Sequence, residues 1–285
     1  MLDYLSATRT HSTPAEWAGR FERAEIEIDG VRAQPSAVLR AGQTIVWHRP
    51  PWDEPDVPMQ FAIVHEDDAI VAVDKPSGLP TMPAGGFLEL TLLHLLRRRY
   101  PEASPLHRLG RFTSGLVLFA RTHEAASVLG RAWRDHEVSK IYRALAAGVM
   151  AADSLEIDAP IGPVPHPHLG DVEAASADGK PSHSTITVIE RGPNHTLVRV
   201  AITTGRSHQI RIHLACAGHP LAGDPLYDIG GIIRPNPGLP GDGGFHLHAE
   251  HLHFTHPMTG HAIRLHAPPP AALRTLAEAS LIRPT

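Results

Sequence analysis

The sequence predicts an α+β fold: a largely antiparallel mixed sheet with flanking helices, preceded by a small N-terminal β-rich unit. Three observations predict it. Short apolar runs with the character of strands, such as FAIVHE and AIVAVD, alternate irregularly with helix-like segments. The spacing lacks the regular strand–helix–strand repeat of a parallel sheet. The 27 prolines among 285 residues impose many turns and irregular connections.

Within residues 22–49, AEIEIDG alternates apolar and charged positions as a half-buried strand does, and Asp29-Gly30 closes it as a turn. GQTIVWHRP supplies a second short strand. PPWDEPDVP, residues 50–58, is rich in proline and acid and reads as a linker, dividing the chain into 1–58 and 59–285. FAIVHEDDAIVAVDKPSG gives two strands separated by Glu66-Asp67-Asp68 and stopped at Lys75-Pro76-Ser77-Gly78. TLLHLLRRR predicts a helix that starts at Thr91 and ends in arginines, where the helix dipole favours them. Residues 123–134 predict another. TITVIERGPNHTLVRVAITTG is a hairpin around Gly192-Pro193-Asn194, and RSHQIRIHLACAGHP a helix from Ser207, stopped at Gly218. Residues 229–244 predict a long mobile loop. HLHAEHLHFTH reads as a strand with one irregularity near Glu250 and its histidines on the wetter face.

A hydrophobic fraction of 42% with 20% charged residues describes a globular chain able to bury a core. Cys216 is the only cysteine, which excludes an intrachain disulfide and fits a reducing compartment. The first residues lack the apolar stretch of a signal peptide and no segment is apolar enough to span a bilayer, so the expected location is cytoplasmic, with no membrane partner. A net charge of −4 argues against a protein that coats nucleic acid non-specifically and leaves room for a local basic groove.

Four stretches could carry chemistry. Arg108 and Arg111, with Arg97, Arg98 and Arg99 upstream, form the densest basic segment; it suits phosphate, or a solvated helix end. Arg206, His208 and Arg211 offer donors near a helix start, an anion site or the polar face of an amphipathic helix. The histidines of residues 246–256 raise zinc, but there is no HExxH and no CxxC, and no metal is expected. Lys75-Pro76-Ser77-Gly78 could present a lysine to an anion, or simply turn the chain. Phosphate-loop, dinucleotide and serine-elbow motifs do not occur.

In order, these pieces resemble the RluA-type pseudouridine synthases. HEDDAIVAVDKPSGLP resembles the opening motif, HRLGRFTSGLVLFAR the catalytic motif, and SKIYRALAAG the K-x-Y segment. TGRSHQIRIHLACAGHPLAGDPLYD and LHAEHLHFTHPMTG resemble the two remaining segments. Residues up to about 50 weakly resemble the small RNA-binding domain often found at the N-terminus, without most of its basic helices. The resemblance implies the pseudouridine synthase fold with a central cleft and isomerisation of uridine to pseudouridine in ribosomal or transfer RNA. It also implies that no cofactor is needed; separately, a monomer is expected. Matched residue by residue, it places the base-packing tyrosine at Tyr142 and the aspartate-pairing arginine at Arg211. RNA contacts are implied for Lys75, His107, Arg108, Arg111, Thr113, Lys140, Arg206 and His208.

The family's catalytic aspartate falls at Gly110. Glycine supplies no nucleophile, acid or base, and losing such a group costs on the order of 10⁴–10⁶ in rate in enzymes where it has been measured. Either a carboxylate from elsewhere enters the cleft (Asp74, Asp135 or Asp224), or another route operates, or the chain is a catalytically silent RNA-binding protein. A buried Arg211 without that aspartate should have a bound anion, a water cluster or another carboxylate beside it.

Overall fold

The computed structural model describes residues 1–9 and 12–281. They divide into two compact units, Met1–Asp53 and the chain from Glu54 onward. The division falls five residues before the end of the expected linker. The Glu54 carboxylate accepts the backbone N–H groups of Glu89 and Leu90, both at 2.8 Å, and so ties this stretch to the second unit.

The first unit is not simply β-rich. Helices α1 (Leu2–Thr8) and α2 (Pro14–Glu22) precede strands β1 (Ile26–Ile28), β2 (Val31–Arg32) and β3 (Ile45–Trp47), which form a sheet of order β2-β1-β3. A capping box starts α2: Thr13 Oγ1 accepts the Glu16 N–H and Glu16 accepts the Thr13 N–H, with Pro14 at the first helical position. Asp29 and Gly30 both take positive φ, as a two-residue hairpin turn requires. Leu5, Trp17, Phe21, Ile26 and Ala33 form the unit's core.

The second unit begins with β4 (Ala62–Glu66), β5 (Ile70–Lys75), α3 (Leu92–Arg97), β6 (Ser104–Pro105), β7 (Ser114–Ala120) and α4 (His123–Arg134). It continues with β8 (Ser139–Ala147), β9 (Ser154–Ile157), β10 (Ile161–His166), β11 (Gly170–Ala175), β12 (Ser184–Arg191) and β13 (His195–Ile202). It ends with α5 (Gln209–Cys216), β14 (Tyr227–Asp228), β15 (Ile232–Ile233), β16 (Leu247–Thr255), β17 (Ala262–His266) and α6 (Leu276–Ser280). The main sheet runs β4-β5-β7-β16-β8-β13-β12-β9, with β6 beside β7 and β17 beside β16. Its pairs are antiparallel except β7 with β16, which run parallel through Ser114–His248 and Gly115–Ala249. This is the mixed, largely antiparallel sheet that the sequence predicts.

That parallel junction is tight. Gly115 has φ +104°, and a Cβ there would lie 2.3 Å from the Ala249 carbonyl oxygen, so only glycine fits. The junction is buried on both faces: every residue of β7 is buried. Residues 229–244, expected as a long mobile loop, instead carry β15, which pairs with β14, and Gly231 sits against α5.

Asp67 locks the β4–β5 turn. Its Oδ1 accepts the Ala69 and Ile70 N–H groups, and its Oδ2 meets His65 Nε2 at 2.8 Å and His256 Nε2 at 3.1 Å. Partial burial would raise this carboxyl, but the hydrogen bonds prevail and hold it at about 2, below its ordinary 3.8. Its stabilisation is therefore complete above pH 3.8 and is lost as pH falls through about 2. Asp67→Asn should flatten that part of the acid-unfolding curve, as read from urea midpoints measured between pH 4 and pH 2. A variant that keeps the wild-type slope would remove Asp67 as its source.

Candidate active site

The 107–113 loop, HRLGRFT, leads into β7 and is held from below by Lys75. The Lys75 ammonium is fully buried and donates to the carbonyls of Pro76 (2.9 Å), Leu79 (2.7 Å) and Arg111 (3.0 Å). All three of its protons are used, so the expected RNA contact at Lys75 is corrected: this lysine shapes the loop. Burial pushes it down to about 7, with Asp74 pulling the other way. Thr81 and Ser77 add hydrogen bonds to the Leu109 and Phe112 carbonyls. Arg111 Nε donates to Gly78 O while its guanidinium lies over Phe87 and Phe112.

His107 is likewise a structural residue. Its ring stacks on Trp133, and its Nε2 accepts the Leu118 N–H at 3.1 Å. Burial and the nearby Lys140 push it down to about 3, so it is neutral and its acceptor is already taken. With Nε2 taken, Nδ1–H is the donor that the expected RNA contact at His107 would use. Arg108 and Gly110 are exposed, and Thr113 is buried beneath them, with its N–H bonded to the Gly110 carbonyl.

The sheet places Tyr142. In β8 it pairs with Val200 on one side and Ala249 on the other, and Ala249 pairs with Gly115. Tyr142 therefore lies two strands, about 10 Å, from the end of the loop motif, on the same face. Its ring is 9% exposed, and burial pushes the phenol up to about 12, so it stays neutral. Two residues earlier on that face, Lys140 donates to Thr204 O at 3.2 Å, which brings it to the TGRSH turn.

Helix α5 brings Arg211, and here the expected anion is present. Asp224 takes the guanidinium in a two-pronged grip, Oδ2 from Nε and Oδ1 from Nη2, both at 2.7 Å. Arg211 Nη1 donates to Pro240 O at 3.2 Å, and Phe245 and Tyr227 flank its guanidinium. Asp224 Oδ1 also accepts the Leu226 and Tyr227 N–H groups. Burial would raise this carboxyl, but Arg211 and the two amides hold it below the usual range.

Of the three candidate carboxylates, only Asp224 stands at Arg211. Its side chain is 0% exposed and accepts two hydrogen bonds from Arg211 and two from backbone amides, so it anchors the arginine. Asp74 pairs with Leu116, one residue out of step with Gly115, and therefore points to the opposite face from Tyr142. Asp135 caps the far end of α4, exposed.

His208 sits at the N-terminus of α5 in the left-handed region, φ 57°. Tyr227 Oη donates to Glu173 O (2.6 Å), so His208 Nδ1 must donate to Tyr227 Oη (2.8 Å). That fixes the tautomer with Nε2 bare. Burial, reinforced by Arg211, pushes the imidazole down to about 4. Arg206 is partly exposed and reaches Pro181 O at 3.4 Å. Upstream, Arg97 caps the Ala103 carbonyl and Arg99 pairs with Glu66.

The opposite face carries its own polar system. A bulge between Ala249 and His251 is the irregularity expected near Glu250. His248 is 1% exposed, bonded to Ser114 Oγ and Ala267 O, so not every histidine here lies on a wet face. Arg143 joins Glu250 (2.5 Å) and Glu278 (2.6 Å). Among the described residues one group, Glu250, His251 and His266, brings metal-capable atoms within 4.8 Å of one another. Glu250 already faces the Arg143 and Arg199 guanidiniums, which oppose a cation. Tyr227 and Arg143 escaped sequence reasoning; strand alternation around Tyr142 is the signal that places Arg143 on the far face.

Loop, tyrosine strand and arginine helix together define a class of protein, and the comparisons agree. Residues 69–216 match the RNA pseudouridylate synthase family. The chain is 45% identical over 278 residues to an uncharacterized RNA pseudouridine synthase of Synechocystis sp., covering 96% of each. It is 37% identical over 330 residues to RNA pseudouridine synthase 5 of Arabidopsis thaliana, covering 96% of this chain and 89% of that one. Among solved structures, human RNA pseudouridylate synthase domain containing 1 superposes with TM-score 0.61 at 25% identity, over 78% of this chain and 89% of that chain. The chain belongs to the RNA pseudouridylate synthase family.

Proposed function

We propose that this protein isomerises uridine to pseudouridine in ribosomal or transfer RNA, without a cofactor, as a cytoplasmic monomer. The observation that carries the reading is the neutral Tyr142 ring on one face of the sheet, in strand register with the loop motif, together with the anchored Arg211. A base turned out of its stack loses its neighbours, and a tyrosine ring replaces one of them. The exposed Arg108 and the partly exposed Arg111 and Arg206 suit RNA phosphates.

The test is release of tritium from RNA labelled at uridine C5, using RNA from a host that lacks the gene. Wild-type protein should release tritium, and Tyr142→Ala should fall to background when assayed well below its own thermal midpoint, which the loss of a buried ring lowers. Equal release by both proteins would sink the reading. A second reading is favoured by one observation. Gly110 carries no acid, and the space its side chain would enter holds only Thr113 Oγ1, 3.6 Å from an added Cβ. A silent RNA-binding protein would bind the same RNA and release nothing.

A further inference from the structure

The first unit holds three of the chain's four tryptophans, and they alternate with arginines. The Arg20 guanidinium lies 4.3 Å from the Trp17 ring centroid and 4.0 Å from that of Trp47. The Arg49 guanidinium lies 4.9 Å from Trp47 and 4.6 Å from Trp52. The inner rungs are part of the fold, since Trp17 is 3% exposed in the unit's core. The outermost ring, Trp52, is 38% exposed and lies beyond the last strand of this unit.

Beside the ladder is a cavity of about 230 Å³ lined by Arg20, Arg23, Glu25, Trp47, Arg49 and Trp52. Three guanidiniums face a single carboxylate there. Glu25 is already engaged by Arg23 at 2.5 Å and by Trp47 Nε1 at 3.0 Å. Arg20 Nη2 donates to Ser12 Oγ, while Arg20 Nη1 is buried with no acceptor among the described residues. A buried guanidinium N–H without an acceptor is costly, and an anionic oxygen in the cavity would satisfy it.

We propose that this ladder is a binding site for single-stranded RNA, with a phosphate seated among Arg20, Arg23 and Arg49 and an unstacked base lying on Trp52. A net excess of positive charge selects an anion. The aromatic rungs select one that carries a flat ring, as stacked base–aromatic contacts do in single-strand binders. The site differs in kind from a basic helix, because it reads the phosphate and the base together. The inference rests on RNA being the partner, and it does not depend on catalysis.

The experiment uses the full chain and a fluorescently labelled 12-nucleotide oligouridine, followed by anisotropy from 50 to 200 mM salt. Any binding in the second unit is common to all proteins compared. Trp52→Ala should weaken binding about 5- to 150-fold, as expected for one stacked base, and Trp52→Phe should restore most of it. Arg49→Gln should weaken binding and lower the salt slope by about 0.7, the share of one phosphate on a single strand. A structural role alone would leave that slope unchanged. Unchanged affinity and slope in Trp52→Ala and Arg49→Gln would overturn the proposal. So would equal binding of a 12-base-pair duplex, which offers charge but no free base. Tritium release separates the two readings. Weakened binding without release removes catalysis and keeps the ladder site; release with unchanged binding does the reverse.

Discussion

Gly110→Asp raises the rate of tritium release by roughly 10²–10⁴-fold, the range that one positioned acid–base group contributes. The position is built to receive it. Gly110 is exposed, its φ is not positive, and an added Cβ would make only ordinary contact with Thr113 Oγ1 at 3.6 Å. The loop around it is held by Lys75, Thr81 and Ser77 through carbonyls that the substitution does not touch. Stability should therefore change by no more than about 0.5 kcal/mol, as for most exposed substitutions. Parallel time courses on labelled RNA and thermal melts check both halves. An unchanged rate with RNA binding intact would mean that a carboxylate at this position does not limit the chemistry.

Arg211→Ala has the largest expected effect on the fold. It leaves the Asp224 carboxylate at 0% exposure with only two amide donors. Removing one partner of a buried pair costs about 3–5 kcal/mol, mostly because the other charge stays buried. Lysine cannot reproduce the two-pronged contact, so Arg211→Lys should recover little. The double variant Arg211→Met, Asp224→Leu should be more stable than either single change, since no charge is left stranded. Urea unfolding of the four proteins measures the cycle. Additive losses would show that the two residues do not act as a pair.

Local signals in the sequence are strong where the physics is local. Thr122 caps α4 by accepting the Ala125 N–H, and the helix runs from His123 to Arg134 as its pattern predicts. The 184–202 hairpin turns at Gly192-Pro193-Asn194. Helix α2 has an equally local signal in Ser-Thr-Pro-Ala-Glu, a capping box with proline at the first position, next to the strand alternation of AEIEIDG. The β10–β11 hairpin offers a weaker pattern, since Pro163 and Pro165 interrupt its first strand.

At the site, the motifs point to Tyr142, Arg211 and the loop, but not to which polar residues face inward. Lys75 sits in a turn-like Lys-Pro-Ser-Gly, and nothing local tells that three carbonyls, one of them 36 residues away, consume its charge. His107 reads as a donor beside Arg108, yet it is an acceptor for β7. Asp224 is recognisable as the partner of Arg211 only once the chain between them has folded back.

The strand order also dictates when the candidate site can exist during synthesis. β7 and β8 are close in sequence, but β16 lies between them in the sheet. Ser114 waits for His248 across 134 residues, and Arg143 for Glu250 across 107. Closing loops of that length is slow compared with forming the hairpins on either side. Until residues 247–255 leave the ribosome, β7 and β8 each offer a bare edge to any passing strand, the condition under which nascent chains aggregate or recruit chaperones. The row that joins Gly115 to Tyr142 is completed by Ala249, so a nascent chain lacking this segment has the motif and the tyrosine but no shared sheet to align them.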